Sequence, residues 1–172
     1  MLNVAQRIQR LMVSVQSPDK RLRASTQGEK YVRFEAKDDL DLSKYTESGL
    51  AEQVEAMLNA IVEGKRRGVR EAYRVEGREY REVRLHELDA DRRRYRAELA
   101  DLEVVAQSNG KNVRVLVTAD RAGYRVKLRP GCLQRLNAKT LIDELNSAHL
   151  NAMMAHLDQK SQLKRKHLQV KP

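Results

Sequence analysis

The side chains best suited to chemistry in this chain, by type and by spacing, are its arginines. Arg66, Arg67, Arg70 and Arg74 follow one another at intervals that place them along one side of a helix. Guanidinium groups bind phosphate oxygens through paired hydrogen bonds, and a DNA duplex carries one negative charge for about each 1.7 Å of its axis. We therefore predict contact with DNA phosphates. The candidate DNA-binding residues are Arg66, Arg67, Arg70, Arg74, Arg78, Arg81, Arg92, Arg93, Arg94, Arg96, Lys164, Arg165 and Lys166.

The stretch that carries most of these arginines also carries acids. Residues 65–96 contain 12 basic and seven acidic residues. Opposite charges four residues apart, as in Arg67/Glu71, Arg78/Glu82 and Arg94/Glu98, predict ion pairs along an exposed helix. A solvated helix without a ligand is the alternative to phosphate contact. Because no helix–turn–helix or zinc-finger pattern appears, we expect DNA contact to be largely independent of base sequence.

Side chains that could serve catalysis or metal binding are few and scattered. None of the four histidines has a nucleophile beside it, and His149 and His156, seven residues apart, lack a third zinc ligand nearby. We expect His149 at the polar edge of a packed helix face. Cys132 is interpreted as a small residue that follows a sheet, and residues 38–41 as a solvated acidic loop. The sequence therefore predicts no enzyme activity, no metal and no cofactor.

The overall charge points to a polyanionic partner. The 172 residues carry 34 Lys and Arg against 24 Asp and Glu, for a net charge of +10. Residues 77–172 hold 20 of these cations against 12 acids, so the basic surface should lie mainly on the second half and on the junction that leads into it. One cysteine allows no internal disulfide, and no stretch is apolar enough to span a bilayer. We expect a protein of the reducing cytoplasm.

Hydrophobic periodicity predicts the elements that must position these side chains. Alternation indicates strands, and an apolar stripe from Leu50 to Ile61 indicates a helix that Thr46 or Ser48 caps. A second helix is predicted after Gly77, either continuous with the first or separated from it by a break near that glycine. The tail from Lys160 to Lys171 is expected to fray as a mobile basic arm. The predicted elements are a short helix at 1–10, strands at 11–15, 20–27 and 31–34, helices at 47–76 and 77–100, strands at 102–107, 112–118 and 124–128, and a helix that starts near 137–139.

The two halves of the sequence match each other at an offset of 91 residues. The pattern that runs from Ile8 to Gln16-Ser17 recurs from Leu99 to Gln107-Ser108. With about three extra residues in the second hairpin loop, Val32 and Phe34 would correspond to Val126 and Leu128. We therefore predict an α+β fold of two tandem helix–three-stranded antiparallel sheet–helix units, residues 1–76 and 77–172, which form an intramolecular pseudo-dimer with long protruding helices.

This order of elements resembles the YbaB/EbfC family of nucleoid-associated proteins. The second half carries the likeness in its Val113-Arg-Val115-Leu-Val117 strand and in Gly123-Tyr-Arg-Val126-Lys-Leu128-Arg-Pro130. The first half, with Gly28-x-x-Tyr31-Val32-x-Phe34, is also similar to divergent EspH-type members associated with type VII secretion. The resemblance implies a dimer with tweezer-like helices that binds DNA with little base specificity. The chain departs from the family in its two units and its short first helix.

These observations leave two classes of function open. The first is a non-enzymatic, nucleoid-associated protein that binds double-stranded DNA, with homo-oligomers left open. The second is a protein-interaction module, such as a chaperone or adaptor of type VII secretion, which the nearly neutral first half favours: residues 1–76 carry 14 basic and 12 acidic residues. An acidic membrane surface is a weaker third partner, because no helix sets bulky apolar residues opposite a basic face.

Overall fold

The computed structural model describes residues 3–28, 31–119 and 121–168. Within these ranges the chain has four α-helices and two three-stranded antiparallel sheets, which confirms the predicted α+β class. The elements are α1 (Val4–Arg10), β1 (Met12–Gln16), β2 (Leu22–Gln27), β3 (Arg33–Ala36), α2 (Glu47–Val75), α3 (Ala90–Ala100), β4 (Glu103–Gln107), β5 (Val113–Thr118), β6 (Gly123–Leu128) and α4 (Ala138–Leu168), with short 3-10 turns at Leu42–Lys44 and Leu85–Glu87.

The two sheets are meanders that follow the same plan. Strands pair in the orders β1-β2-β3 and β4-β5-β6, and β4, β5 and α4 each begin 91 residues after β1, β2 and α2. The predicted alignment of the third strands was wrong. Phe34 lies opposite Ala24 as Val126 lies opposite Val115, so the second unit has one extra residue rather than about three. Alternation has a period of two, and a shift by two residues keeps every apolar side chain on the same face.

Both first hairpins turn in the same way. Ser17 and Ser108 are buried, and each hydroxyl oxygen accepts a hydrogen bond of 2.9 Å, from the Leu22 and Val113 amides respectively. Lys20 and Lys111 adopt positive φ angles of 63° and 58°, which is uncommon for a residue with a Cβ. The turn conformation therefore recurs at the same offset of 91 residues as the strands.

The long helices pack across both sheets. The Thr46 hydroxyl caps α2 by accepting the Gly49 amide at 3.0 Å, and the apolar stripe of the helix is buried from Leu50 to Ile61. This helix packs on β1, β2 and β6, whereas α4 packs on β4, β5 and β3. Buried apolar side chains from both halves of the chain consequently form one continuous cluster.

Helix side chains satisfy the backbone at the outer edges of β3 and β6. The Asn146 amide oxygen of α4 accepts the Phe34 amide at 2.8 Å, and its nitrogen donates to the Phe34 carbonyl at 3.3 Å. In the reciprocal contact, the Glu55 carboxylate of α2 accepts the Val126 amide at 3.1 Å. Asn59 of α2 pairs in the same way with both backbone groups of Tyr124. These contacts protect the edge strands and tie each unit to the other unit's helix.

Two helix predictions were wrong. The stretch after Gly77 contains no α-helix until Ala90, because Gly77 has a positive φ of 67° and residues 77–89 have no buried apolar stripe to dock a helix. The tail predicted to fray from Lys160 is helical to Leu168, since α4 packs along α3. The predicted arm also included Lys171, which lies outside the described residues.

Candidate nucleic-acid interface

The C-terminal half of α2 has one face of small residues that lets the first unit pack closely. A Cβ atom placed on Gly64 would lie 2.6 Å from the Val13 Cγ1 atom, and one placed on Gly68 would meet the Leu11 side chain. Ala72, one turn further, is also buried. Because each helical residue turns by about 100°, Arg66, Arg67, Arg70 and Arg74 lie on the opposite, solvent-facing side, and all four are exposed. We call these four residues the α2 arginine row.

Two members of the α2 arginine row hold acids on the same helix. The Arg66 guanidinium lies 2.6 Å from the Glu63 carboxylate. Arg74 makes two hydrogen bonds to Glu71, at 2.8 and 2.6 Å, and this pairing lowers the pKa of Glu71 and raises that of Arg74. Arg67 and Arg70 have no ion-pair partner within the described ranges. Half of the row thus presents uncompensated charge to solvent.

The ion pairs predicted at intervals of four residues do not form. Glu71 bonds Arg74 instead of Arg67, and Glu98 bonds Lys166 and His167 instead of Arg94. The predicted pair of Arg78 with Glu82 is also absent from the described residues, because this segment is not helical. The pairs of Glu71 and Glu98 were wrong because sequence spacing does not show which other cation, on the next helical turn or on a neighbouring helix, lies within reach of the acid.

The remaining predicted arginines lie on the connector 76–89 and on α3, and all are exposed. On the connector, Arg81 pairs with Glu87. The Asp89 carboxylate caps α3 by accepting the Arg92 amide at 2.8 Å, and it also lies 3.4 Å from the Arg92 guanidinium. The other four predicted arginines of these segments have no ion-pair partner within the described ranges. They are Arg78, Arg93, Arg94 and Arg96.

The basic end of α4 lies beside α3. Lys164, Arg165 and Lys166 are exposed in the last turns, where positive charge complements the helix dipole. The Lys166 ammonium donates to the Glu98 carboxylate of α3 at 2.8 and 2.9 Å, and this contact lowers the pKa of Glu98. The packing of α3 on α4 therefore places the basic end of α4 beside the helix that carries Arg92, Arg93, Arg94 and Arg96.

Three of the predicted arginines also converge on a cleft of about 780 Å³. Arg66 reaches it from α2, Arg81 from the connector and Arg96 from α3. The sequence prediction missed two further cations of this cleft, Lys65 of α2 and Arg121 of the β5–β6 turn. No spacing in the sequence brings these five together, because they come from four different segments. We call this site the basic cleft; its walls are completed by Val32, Ile61, Val62, Tyr80, Glu82, Val83, Ala119, Ala122, Tyr124, His149 and Met153.

His149 lies in the wall of the basic cleft and not at the polar edge that the sequence predicted. Its side chain is 1% exposed, stacks on the Tyr124 ring with a centroid separation of 5.8 Å and meets the Phe34 ring edge-on at 6.4 Å. Burial, together with the cations Lys65 and Arg121, lowers the pKa of His149 to about 3. The imidazole is therefore neutral at physiological pH.

The structure does not support catalysis or metal binding at the other candidate residues that it describes. Within the described ranges, no group of three or more His, Cys, Asp or Glu side chains is arranged to hold a metal ion. Cys132 is fully buried, and burial together with the Glu47 carboxylate raises the pKa of its thiol. In the acidic loop, the Asp41 carboxylate accepts the Ser43 amide and hydroxyl, a local turn arrangement.

Comparisons with known proteins do not assign the chain to a family. Neither a scan against models of protein families nor searches of curated proteins and of solved structures found a match. Among the described residues, no helix is both long enough and apolar enough to cross a membrane.

Proposed function

We propose that this protein is a non-enzymatic binder of double-stranded DNA that contacts phosphates with little dependence on base sequence. The observation that carries the proposal is the α2 arginine row, which faces solvent along one side of a helix and whose Arg67 and Arg70 have no ion-pair partner in the described structure. From Arg66 to Arg74 the helix rises about 12 Å, which matches the length of about seven duplex phosphate charges.

The second basic surface supports the same proposal. Arg92, Arg93, Arg94 and Arg96 of α3 lie beside the basic end of α4. Arg92 pairs with Asp89 and Lys166 pairs with Glu98, and the other cations of this surface have charge available for phosphate. A duplex that contacts both surfaces releases more counterions than one that contacts the α2 arginine row alone. On the connector, Arg78 adds a further exposed cation, whereas Arg81 pairs with Glu87.

We also propose that residues 1–76 and 77–172 form an intramolecular pseudo-dimer of the YbaB/EbfC type. The reciprocal contacts of Glu55 with β6 and of Asn146 with β3 support this arrangement. The helices would protrude from the paired sheets, since α2 buries only Ala72 after Ile61 and α4 buries no residue after His156. Such a protein would act at the nucleoid, in the cytoplasm.

The test is a titration of two unrelated fluorescently labelled duplexes, followed by anisotropy at low salt. Changing all four residues of the α2 arginine row to Glu should weaken binding to both duplexes at least about a hundredfold and by similar factors. The matched control changes four exposed cations to Glu, three in the strands of the β5–β6 hairpin and one directly after β6. These are Arg114, Arg125, Lys127 and Arg129. Equal losses in both variants would refute the assignment of the contact to α2.

A protein-interaction module is the second candidate, and an apolar ridge on α4 favours it. Leu150, Met154 and Leu157 are 40, 61 and 49% exposed and lie at intervals of four and three on one helix face. Apolar contacts resist salt, unlike phosphate contacts. A defined protein that co-purifies at high salt, and is lost when Met154 and Leu157 are changed to Gln, would favour this candidate over DNA binding.

A further inference from the structure

The basic cleft has the size and the mixed lining of a small-molecule site. Its volume of about 780 Å³ lies within the range of ligand pockets, roughly 300–1,000 Å³. Its walls come from both halves of the chain, with Lys65 on α2, Tyr80 on the connector, and Tyr124 and His149 on β6 and α4. The packing of one unit on the other therefore creates the cleft.

The charge of the cleft calls for an anionic ligand. Five cations line it, and Glu82 is the one carboxylate among its described lining residues. Of these cations, Arg66 pairs with Glu63 and Arg81 with Glu87, whereas Arg96 has no ion-pair partner among the described residues. Arginine at a site of this kind suits phosphate in particular, because its planar fork pairs with two phosphate oxygens at once.

The remaining wall of the cleft favours a ligand that also carries a flat or apolar group. Tyr80 is 38% exposed, and Val83 beside it is 52% exposed, so both offer open surface at the mouth. Tyr124 and Met153 are buried deeper, where the Tyr124 hydroxyl meets the Met153 sulfur at 3.6 Å. A simple inorganic anion would leave these aromatic and apolar surfaces without a partner, whereas a ring system could pack on them.

His149 adds a hydrogen-bonding requirement. Neither of its ring nitrogens has a hydrogen-bond partner among the described residues, although the side chain is almost fully buried. A neutral imidazole carries one donor and one acceptor, and leaving both unpaired is unfavourable. Buried polar groups without a partner are rare in folded proteins and need an explanation. A nucleobase edge offers the complementary acceptor and donor, which reach the imidazole once the lining side chains move aside.

We propose that the basic cleft binds a nucleoside phosphate, with the phosphates on the cationic side chains and the base toward Tyr124 and His149. The ligand is either a free nucleotide or the phosphorylated end of a nucleic-acid strand, since both present the same chemistry. The proposal goes beyond contact with duplex phosphates. Arg66 belongs both to the cleft and to the α2 arginine row, whereas Lys65, Arg121 and His149 belong to the cleft alone.

Isothermal titration calorimetry of the full chain tests the proposal with adenosine diphosphate, pyrophosphate and adenosine as separate probes. Adenosine diphosphate should bind at one site per chain and more tightly than either fragment. Changing Lys65 and Arg121 together to Gln should weaken its binding about tenfold or more, because charge-assisted hydrogen bonds are lost. The matched control changes Arg135 and Lys139 to Gln, two exposed cations that do not line the cleft, and should leave the affinity unchanged.

A second variant separates base recognition from charge. His149→Phe keeps the size of the ring and should weaken adenosine diphosphate while it leaves pyrophosphate unchanged. Absence of heat with millimolar adenosine diphosphate, equal loss in the charge variant and its control, or equal affinity for pyrophosphate and adenosine diphosphate would each overturn the proposal. A single strand with a 5′-phosphate that binds more tightly than the free nucleotide would identify the strand end as the source. Duplex titration of Arg67→Gln/Arg70→Gln, neither of which lines the cleft, tests DNA binding separately.

Discussion

Replacing Asn146 with Leu should destabilise the protein, because Asn146 supplies both hydrogen-bond partners at the free edge of β3. Its side chain accepts the Phe34 amide at 2.8 Å and donates to the Phe34 carbonyl at 3.3 Å, across 112 residues of sequence. Leucine has a similar branched shape and cannot form either bond. Leaving a buried backbone group unpaired costs about 1–3 kcal/mol, and this site is half-buried, so the lower part of that range applies to each group. A loss of about 2–3 kcal/mol in the free energy of unfolding is expected.

Urea unfolding followed by far-ultraviolet circular dichroism measures this loss. The midpoint should fall while the slope of free energy against urea stays constant, because the native surface is nearly unchanged. Leucine is a better helix former than asparagine by some tenths of a kcal/mol, so Ser161→Leu on the exposed part of α4 serves as the control for propensity. A loss below about 0.5 kcal/mol relative to that control would refute the reasoning that α4 secures β3.

Three further outcomes are expected from the same unfolding assay. Gly64→Ala should destabilise by about 1 kcal/mol despite a better helix propensity, since the new Cβ would press on the stiff Val13 side chain; a stabilised variant would show that the two segments are not in close contact. Glu144→Gln should cost about 1–3 kcal/mol, because this carboxylate accepts the Gly110 and Asn112 amides at 2.9 and 3.1 Å; an unchanged midpoint would contradict this role. His149 has a folded-state pKa of about 3, below its unfolded value, so the unfolded chain takes up the proton first. Stability should therefore fall by about 1.4 kcal/mol per pH unit between about pH 6 and pH 3, and this component should level off at lower pH. His149→Phe should remove that component, and an identical acid profile in the variant would contradict it.

The strands and the long helices were predictable because each of them has a strong local signal. Alternation along β2 and β5 specifies the buried face, and Thr46 with the apolar stripe that begins at Leu50 specifies the start and orientation of α2. The alignment of Phe34 with the second unit was not predictable from alternation, since shifts by two residues give the same pattern of buried faces.

The connector and the charge pairs depend on tertiary contacts that local spacing does not contain. Residues 78–84 show acids and bases at helical intervals, yet they lack an apolar face to hold a helix against the protein. Glu98 bonds Lys166, which lies 68 residues away in sequence. The solvent exposure of the α2 arginine row followed from its spacing, whereas the basic cleft and the burial of His149 follow from the docking of the two units.

The measurement that tests the central proposal most directly is the salt dependence of duplex binding for Arg67→Gln/Arg70→Gln. Glutamine matches arginine closely in helix propensity, so the helix should be retained. If both side chains contact phosphates, the logarithm of the association constant should depend less steeply on the logarithm of salt, with a slope smaller in magnitude by about 1.8. The control Arg114→Gln/Lys127→Gln removes an exposed cross-strand pair of cations and should keep the slope of the unaltered protein. Unchanged slopes in both variants, or no binding of the unaltered protein at low salt, would contradict the assignment of DNA contact to α2.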